Sequence, residues 1–341
     1  MKRTRLLYFL AILAIAASCT KTKITKPHIL SDSVVTDEAD VYVVGFDGDT
    51  STIWKNGIAE AISDGNNYSS SFSVFVSDTD VYVAGYVNSG PNGVATLWKN
   101  GVATQLSDSA DNASANSVYV DGTDVYVAGY DNKGSNGVAT VWKNGVVTSL
   151  TDGSNDASAY SVYVDGPNVY VAGYEVSVSN NVAKVWKNGV AMALSDSNSY
   201  TYAQSVYVSG ADVYVVGVKF NGTKNVAVLW INGTETDLTD GSNDAYAQSV
   251  YVNGTDVYVA GAEYNGTENV AKLWKNGVAT ALTDGTQNSY AFSVCMSGSD
   301  VYVAGKEFNG TNYVAKVWKN GIETDLTNGN KTANALSVFV K

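Results

Sequence analysis

Histidine and cysteine are almost absent from this chain of 341 residues. His28 is the only histidine, and the two cysteines are Cys19 and Cys295. This scarcity excludes Ser-His-Asp and Cys-His catalysis and histidine-rich metal sites. A helical apolar period of useful length is also missing, so helices are not expected to build the fold. We therefore expect a β-protein without disulfides, bound metal or cofactor.

Basic residues are also fewer than acidic ones. The chain has 21 lysines and arginines against 33 aspartates and glutamates, which gives a net charge of −12. An acidic body repels the phosphate backbone of nucleic acids. The sequence therefore predicts no nucleic-acid partner.

What the chain has instead is tryptophan at a fixed interval. Neighbouring tryptophans are always 44 residues apart, at Trp54, Trp98, Trp142, Trp186, Trp230, Trp274 and Trp318. A period of this length is typical of repeat architectures in which each unit is one small antiparallel sheet.

Each repeat contains four short runs rich in valine, tyrosine and tryptophan. In the third repeat, the runs begin at Ser117, Val125, Val138 and Val146. Asp-Gly-Thr-Asp follows the first run and Lys-Asn-Gly follows the third, and both sequences favour tight hairpins. The strands are apolar on both sides, so neighbouring sheets must cover both faces. The sequence predicts an all-β, seven-bladed β-propeller of four-stranded antiparallel blades.

The first-strand motif occurs eight times for seven tryptophans. The surplus copy is expected when strands from the two ends of the chain complete one blade. The C-terminal copy, Ser337–Val340, keeps the fuller pattern, whereas the N-terminal copy at 33–36 has lost its aromatic residue. We expect Ser337–Val340 to close the ring beside residues 41–62, with Ser33–Thr36 as the alternative. A solenoid, the other repeat architecture, would need polar capping units.

The N-terminal segment resembles a bacterial lipoprotein signal. Lys2, Arg3 and Arg5 precede an apolar run that is too short to span a membrane, and Ala16-Ala-Ser-Cys19 follows. Ala16 departs from the leucine usual in that motif, and a plain signal peptide is the alternative. The resemblance implies a signal at 1–18, lipidated Cys19 with a tether at 19–32, and a propeller at 33–341. It also implies anchoring in the cell envelope, in the outer membrane because Thr20 is not acidic. The mature net charge would then be −15, three units below that of the full chain.

Acidic residues also recur at the 44-residue period. They are Asp64, Asp108, Asp152, Asp196, Asp240 and Asp284, with Asn328 in the seventh place. A ring of carboxylates for cations is one interpretation. Side-chain caps of turns are the other, and the substitution by Asn328 favours them because Asn and Asp both form such turns. The Asp-rich stretches after Asp152 and Asp240 leave weakly bound calcium as a further alternative.

Variation between repeats is concentrated in two of the four connections. The loops between second and third strands and the connections between blades both vary, and in an up-and-down blade they emerge on the same side of the disc. Binding loops on a rigid scaffold are usually arranged in this way. The residue before each first-strand serine varies too, as does the residue two positions earlier. We expect these positions to surround the mouth of the central channel and to suit a sugar or a peptide, although neutral drift would give the same variation. The candidate ligand-binding residues are Asn116, Tyr160, Tyr202, Gln204, Tyr246, Gln248, Tyr290 and Phe292.

The repeat is similar in layout to the extracellular HAF-type repeat of exported bacterial propellers. The similarity rests on Val125-Tyr-Val-Ala-Gly-Tyr130, Val138-Ala-Thr-Val-Trp142-Lys-Asn-Gly145 and Leu150, and it extends over residues 33–340. Val138-Ala-Thr stands where that repeat has His-Ala-Phe. The resemblance supports the fold and implies no functional residues.

These observations predict a monomeric cell-envelope lipoprotein that binds a glycan or an envelope protein through its variable side. A structural scaffold in an envelope assembly, without a small ligand, is the alternative. Enzymatic activity, such as that of a glycan hydrolase or lyase, is not expected, because the acids unique to one blade form no recognisable set. Cys295 replaces a first-strand tyrosine of other blades, and we expect it to be a small buried residue rather than a nucleophile.

Overall fold

The computed structural model describes residues 39–63, 65–178, 180–197 and 200–341. The predictions for the signal, Cys19, the tether and Ser33–Thr36 lie outside the described residues. In chain order, the strands are β1 (Val41–Asp47), β2 (Thr50–Lys55), β3 (Ile58–Ala61), β4 (Ser69–Ser77), β5 (Asp80–Ser89), β6 (Asn92–Lys99), β7 (Val102–Gln105), β8 (Ala113–Asp121), β9 (Asp124–Lys133), β10 (Asn136–Lys143), β11 (Val146–Ser149), β12 (Ala157–Asp165), β13 (Asn168–Ser177), β14 (Asn180–Lys187), β15 (Val190–Ala193), β16 (Thr201–Ser209), β17 (Asp212–Phe220), β18 (Asn225–Ile231), β19 (Thr234–Asp237), β20 (Ala245–Asn253), β21 (Asp256–Tyr264), β22 (Asn269–Lys275), β23 (Val278–Ala281), β24 (Ser289–Ser297), β25 (Asp300–Phe308), β26 (Tyr313–Lys319), β27 (Ile322–Asp325) and β28 (Ala333–Val340).

The strands form seven antiparallel sheets of four strands each, which confirms the predicted β-propeller. Blade 1 consists of β28, β1, β2 and β3, and blades 2 to 7 take the remaining strands four at a time in chain order. The first strand of each sheet contacts the first strands of both neighbouring sheets, so these strands surround the central axis.

The C-terminal strand closes the ring, as the sequence predicts. Strand β28 pairs with β1 in the register Val41↔Val340 and Val44↔Ser337. The Asp40 amide donates to the Lys341 carbonyl at 2.8 Å, and the Lys341 amide donates to the Asp40 carbonyl at 3.0 Å. Blade 1 is therefore built from both ends of the described chain.

The seven tryptophans fill the seven interfaces between blades. Each is at most 2% exposed. Trp186 of blade 4, for example, packs against Tyr126, Ala128 and Ala139 of blade 3, and the other six interfaces repeat this arrangement. Because every blade needs its neighbour to cover this side chain, the 44-residue spacing reflects interface packing.

Serine side chains join the innermost strands into a ring. The Ser117 hydroxyl accepts a hydrogen bond from the Val162 amide of the next blade at 3.1 Å. The same bond occurs at all seven interfaces, at 3.1–3.3 Å, and the seventh joins Ser337 to the Val74 amide. The serine in every first strand thus accepts a hydrogen bond from a valine amide of the next blade, which has no partner within the sheet of that blade.

The turns after the first and third strands form what we call the uniform face. Asn144 and Gly145 both have positive φ, at 50° and 78°, as a two-residue type I′ hairpin turn requires. Asn144 Oδ1 accepts from the Val125 amide at 2.8 Å, and its Nδ2 donates to Asp124 Oδ1 at 2.8 Å. Lys143 pairs with Asp124 at 2.7 Å. Asp, Lys and Asn therefore recur because together they fix one hairpin to the next.

We predict that Ser161→Ala lowers the free energy of unfolding by about 1–2 kcal/mol, because the Val206 amide loses its acceptor. Denaturant unfolding measures the change. Ser154→Ala is the control, since this exposed hydroxyl bonds only within its own turn, and should cost less than about 0.5 kcal/mol. Equal effects of the two substitutions would contradict a structural role of the serine ring.

Candidate functional site

The variable residue before each serine occupies a β-bulge. In blade 4, Ala159 pairs with Gly173 and Ser161 pairs with Ala172, so Tyr160 has no partner in the adjacent strand. A bulge of this kind changes the direction of a side chain locally. The neighbouring backbone is very close, because a Cβ on Gly173 would lie 2.0 Å from the Ser158 carbonyl oxygen. The fixed glycine therefore allows the close backbone approach at the bulge, and the bulge directs the side chain of the variable residue beside the channel.

A cavity lies on the side opposite the uniform face, which we call the variable face. Its volume is about 580 Å³, and it extends across blades 2, 3 and 4. We call it the large cavity; its walls include Phe72, Tyr130, Tyr160 and Tyr174 together with polar side chains such as Asn116 and Asp156. Aromatic walls with a few polar groups are characteristic of small-ligand sites.

Asp156 has a fixed position in this wall. Its Oδ1 accepts from the Gly137 amide at 2.8 Å, and its Oδ2 accepts from the Tyr174 hydroxyl at 2.7 Å. Burial and the bond to Asp156 raise the pKa of Tyr174. Burial, reinforced by the Asp156 charge, raises the pKa of Tyr160 to about 12. Both phenols are therefore protonated at neutral pH, and the hydrogen of Tyr174 is donated to Asp156.

Two adjacent blades differ in how they satisfy one serine hydroxyl at the cavity wall. In blade 3, Ser114 Oγ donates to Asn116 Oδ1 at 2.9 Å, while Asn116 Nδ2 donates to the Ala159 carbonyl at 2.9 Å. In blade 4, Tyr160 takes the place of Asn116. The buried Ser158 Oγ then has no hydrogen-bond partner among the described residues, and the same is true of Ser70 Oγ in blade 2, where Phe72 stands at this position.

A second, smaller cavity lies between blades 6 and 7. It has a volume of about 290 Å³ and is lined by Tyr246, Gln248, Ala262, Tyr290, Ala291, Phe292 and Lys306. The rings of Tyr290 and Phe292 are nearly parallel, with 5° between their planes and 6.1 Å between centroids. We call this the Lys306 cavity.

Six of the eight predicted ligand-binding residues line one or the other of these two cavities. Asn116 and Tyr160 line the large cavity, whereas Tyr246, Gln248, Tyr290 and Phe292 line the Lys306 cavity. Tyr202 packs edge-on against Tyr174, with 5.2 Å between ring centroids, and its hydroxyl bonds to that of Tyr200. Gln204 is half-buried on the same strand and lines neither of these two cavities.

Sequence reasoning missed Tyr130, Tyr174 and Lys306 as site residues. All three directly follow the fixed glycine of the second strand, a position that holds Phe46, Tyr86, Tyr130, Tyr174, Val218, Ala262 and Lys306 in successive blades. Variation at this position, compared across the seven repeats, is the signal that could have found them. It is easily overlooked because it lies in a strand rather than in a loop.

Aromatic residues also form a belt along the central channel, close to the uniform face. Phe339, Phe75, Tyr119, Tyr163, Tyr207 and Tyr251 contact one another in sequence, with centroids 4.7–5.0 Å apart. We call this the channel belt. Cys295 occupies the seventh place and is half-buried. Burial raises the pKa of its thiol to about 12, so the unreactive thiol form prevails at neutral pH.

Most of the repeated Asp residues act as turn caps. Asp152 Oδ1 accepts from the Ser154 amide at 2.9 Å, and Asp108, Asp240, Asp284 and Asn328 make the equivalent bond two residues ahead. Asp64 lies outside the described residues. Within the described ranges, no group of three or more histidine, cysteine or acidic residues is arranged to hold a metal ion.

The fold and the cavities together define a seven-bladed β-propeller with its candidate sites on one face. The sequence matches no protein-family model and no curated protein. Among solved structures, the chain is similar to the β-propeller domain of the Trilobed protease from Pyrococcus furiosus, described as having an open velcro topology. The TM-score is 0.56 at 11% identity, over 85% of this chain and 92% of that one.

Two further structures resemble the chain. The acylaminoacyl peptidase of Pyrococcus horikoshii gives a TM-score of 0.52 at 12% identity, over 85% of this chain and 51% of that one. TolB from Acinetobacter baumannii gives a TM-score of 0.50 at 15% identity, over 72% of this chain and 64% of that one. Similarity at this level of identity shows the propeller fold alone.

We predict that the propeller loses stability as the pH rises from about 10, the ordinary tyrosine value, towards 12. Burial raises the pKa of Tyr163, Tyr207 and Tyr251 to about 12. The folded state therefore retains protons that the unfolded chain releases, and the free energy of unfolding falls with pH over this interval. Denaturant unfolding at several pH values measures the slope.

The double substitution Tyr163→Phe/Tyr207→Phe should reduce this slope, by about one proton or less per residue. Phe75 and Phe339 occupy the equivalent places, so the belt already accepts phenylalanine. An unchanged slope in the double variant would show that the belt tyrosines do not carry the pH dependence.

Proposed function

We propose that this protein is an exported binding module that takes a glycan in the large cavity. The observation that carries the proposal is a cavity wall that combines the Tyr160 ring with polar side chains such as Asn116. This combination suits a hydroxyl-rich ligand, which needs both apolar surface and hydrogen-bond partners.

The remaining wall suits a sugar in the same way. Phe72, Tyr130 and Tyr160 offer aromatic surface, on which the apolar side of a sugar ring can pack. Asn112 Nδ2 donates to the Tyr130 hydroxyl at 3.2 Å, so the phenol hydrogen is directed elsewhere and can be donated to a ligand. The fixed bonds of Asp156 assign it to holding the wall, which supports a binding module rather than an enzyme.

The cellular setting is proposed from the sequence. Lipidation at Cys19, a cell-envelope and outer-membrane location, and kinship with HAF-type repeats rest on the N-terminal and repeat motifs. The described chain contains no helix long and apolar enough to cross a bilayer. Asp40, near the start of the described residues, lies on the uniform face, where its carboxylate accepts from Asn56 Nδ2 at 2.7 Å. We propose a monomer with a lipid anchor and no nucleic-acid partner.

We predict that a soluble form, residues 20–341, binds a glycan on an array of polysaccharides and cell-wall fragments. Tyr160→Gln should weaken that binding at least about tenfold, which corresponds to about 1.4 kcal/mol. Glutamine is the residue that Gln204 and Gln248 supply at this place in other blades, so the bulge should accept it. Gln204→Ala, outside the large cavity and the Lys306 cavity, is the matched control.

Loss of binding in Tyr160→Gln alone supports the large cavity as the site. Equal binding by Tyr160→Gln and the wild type would place the glycan elsewhere. Silence of the wild type across the array would contradict a glycan ligand and direct the search to an envelope protein, by crosslinking in the envelope.

One observation favours the scaffold alternative. An exposed apolar residue opens six of the seven outermost strands, at Ile58, Val102, Val146, Val190, Val278 and Ile322, each 69–76% exposed. Blade 5 has Thr234 at this position. Regularly spaced apolar side chains on the rim suit a protein surface better than a small ligand.

We predict for this alternative that Val190→Thr/Val278→Thr, which copies blade 5, removes envelope crosslinks. Crosslinking followed by mass spectrometry measures the effect. Crosslinks that survive the double substitution would argue against docking through the rim.

A further inference from the structure

The position after the fixed glycine carries a lysine in blade 7 alone. Aromatic residues occupy it in blades 1 to 4, Val218 in blade 5 and Ala262 in blade 6. Lys306 therefore breaks the symmetry of the repeat at a position that, in blades 2 to 4, helps to line the large cavity. Its neighbour Ala262 is small, and this leaves space where blade 4 has the ring of Tyr174.

The surroundings of Lys306 are aromatic rather than acidic. Its Nζ lies 4.1 Å from the ring centroid of Tyr313, 5.2 Å from that of Tyr290 and 5.5 Å from that of Phe292. None of the ion pairs found within the described ranges involves it. Burial lowers the pKa of Lys306. The ammonium group is thus stabilised by ring faces alone.

Another lysine in the same blade shows how the propeller accommodates a structural cation. Lys316, on the adjacent strand, pairs with Glu307 at 3.0 Å and with Asp325 at 2.9 Å, and its pKa is raised despite burial. In this blade, a buried lysine with a structural role is therefore paired with carboxylates. Lys306 carries its charge to a cavity wall without a carboxylate of the protein.

The other walls of the Lys306 cavity suit a sugar ring. Tyr290 and Phe292 offer nearly parallel rings. Tyr246 Oη accepts from Asn225 Nδ2 at 3.0 Å, which leaves its hydrogen for donation, and the Gln248 amide can both donate and accept. The volume of about 290 Å³ has room for a single sugar residue rather than a long chain segment.

We propose that the Lys306 cavity is a second binding site, specific for an acidic sugar whose carboxylate pairs with the Lys306 ammonium. A carboxylate supplies the counter-charge that the site lacks, and the paired rings hold the sugar ring. An acidic peptide offers the same charge, but it would leave the parallel rings and the Gln248 amide without a matched partner. The site is separate from the large cavity and differs in ligand charge.

The test uses the soluble propeller and isothermal titration with a galacturonic acid trisaccharide. The matched ligand is the same trisaccharide with its carboxylates methyl-esterified. We expect the free acid to bind at least about tenfold more tightly than the ester. Lys306→Gln should remove this preference, whereas Lys331→Gln should retain it, because Lys331 is an exposed lysine in the connection between blades 7 and 1.

Folding is checked by thermal unfolding of each variant. Lys306→Gln removes a half-buried unpaired charge, so its melting temperature should be unchanged or higher, which a merely structural lysine would not allow. Lys306→Ala, copying Ala262 of blade 6, provides a second variant that the repeat already tolerates. Tyr160→Gln should leave binding of the acid unchanged, which separates this proposal from that for the large cavity.

Several outcomes would overturn the proposal. They are equal binding of acid and ester, an acid affinity unaffected by Lys306→Gln and Lys306→Ala, and absence of binding at millimolar concentration. Tighter binding of a triglutamate peptide than of the acidic trisaccharide would reassign the site to acidic peptides. Tighter binding of a sulfated trisaccharide would show that the group paired with Lys306 is a sulfate rather than a carboxylate.

Discussion

Seven hydrogen bonds between a serine hydroxyl and a valine amide hold the innermost strands together, and the rest of the molecule depends on them. Each bond joins one blade to the next, and the seventh joins Ser337 to Val74. These bonds fix how far one blade is displaced along the axis relative to its neighbour. The tryptophan of the later blade then fits against the earlier one, and all seven interfaces become equivalent. A propeller needs this equivalence, because any mismatch between blades would accumulate around the ring and prevent closure.

The architecture could be predicted because the signals for it are local and repeated. Trp142, the Lys143-Asn-Gly turn and Ser117 each perform one structural task, and the chain repeats each task about seven times. The closing strand was predictable from the retained pattern of Ser337–Val340, and its pairing with β1 confirms it. Turn caps were predictable for the same reason, since Asp152 and Asn328 form the same bond.

The cavities could not be predicted in this way, because they depend on combinations across blades. Asn116 and Tyr160 are equivalent in sequence position. Yet Asn116 accepts a hydrogen bond from the Ser114 hydroxyl, whereas the Ser158 hydroxyl near Tyr160 has no partner. Lys306 is informative only beside Tyr313 and the small Ala262, which lie on a neighbouring strand and in a neighbouring blade. The sequence shows where residues vary, and the structure shows which variations meet.

The channel belt has a consequence for how such a chain can change in length. The repeats are so alike that unequal recombination could add or delete a whole blade, and each new interface would still find its serine, valine and tryptophan. The belt, however, has aromatic rings at six of the seven places around the axis, and neighbouring rings already contact one another, with centroids 4.7–5.0 Å apart. A six-bladed ring would crowd these side chains and an eight-bladed ring would separate them. The contacts within the belt therefore favour seven blades. Cys295 is the one small side chain among the seven positions.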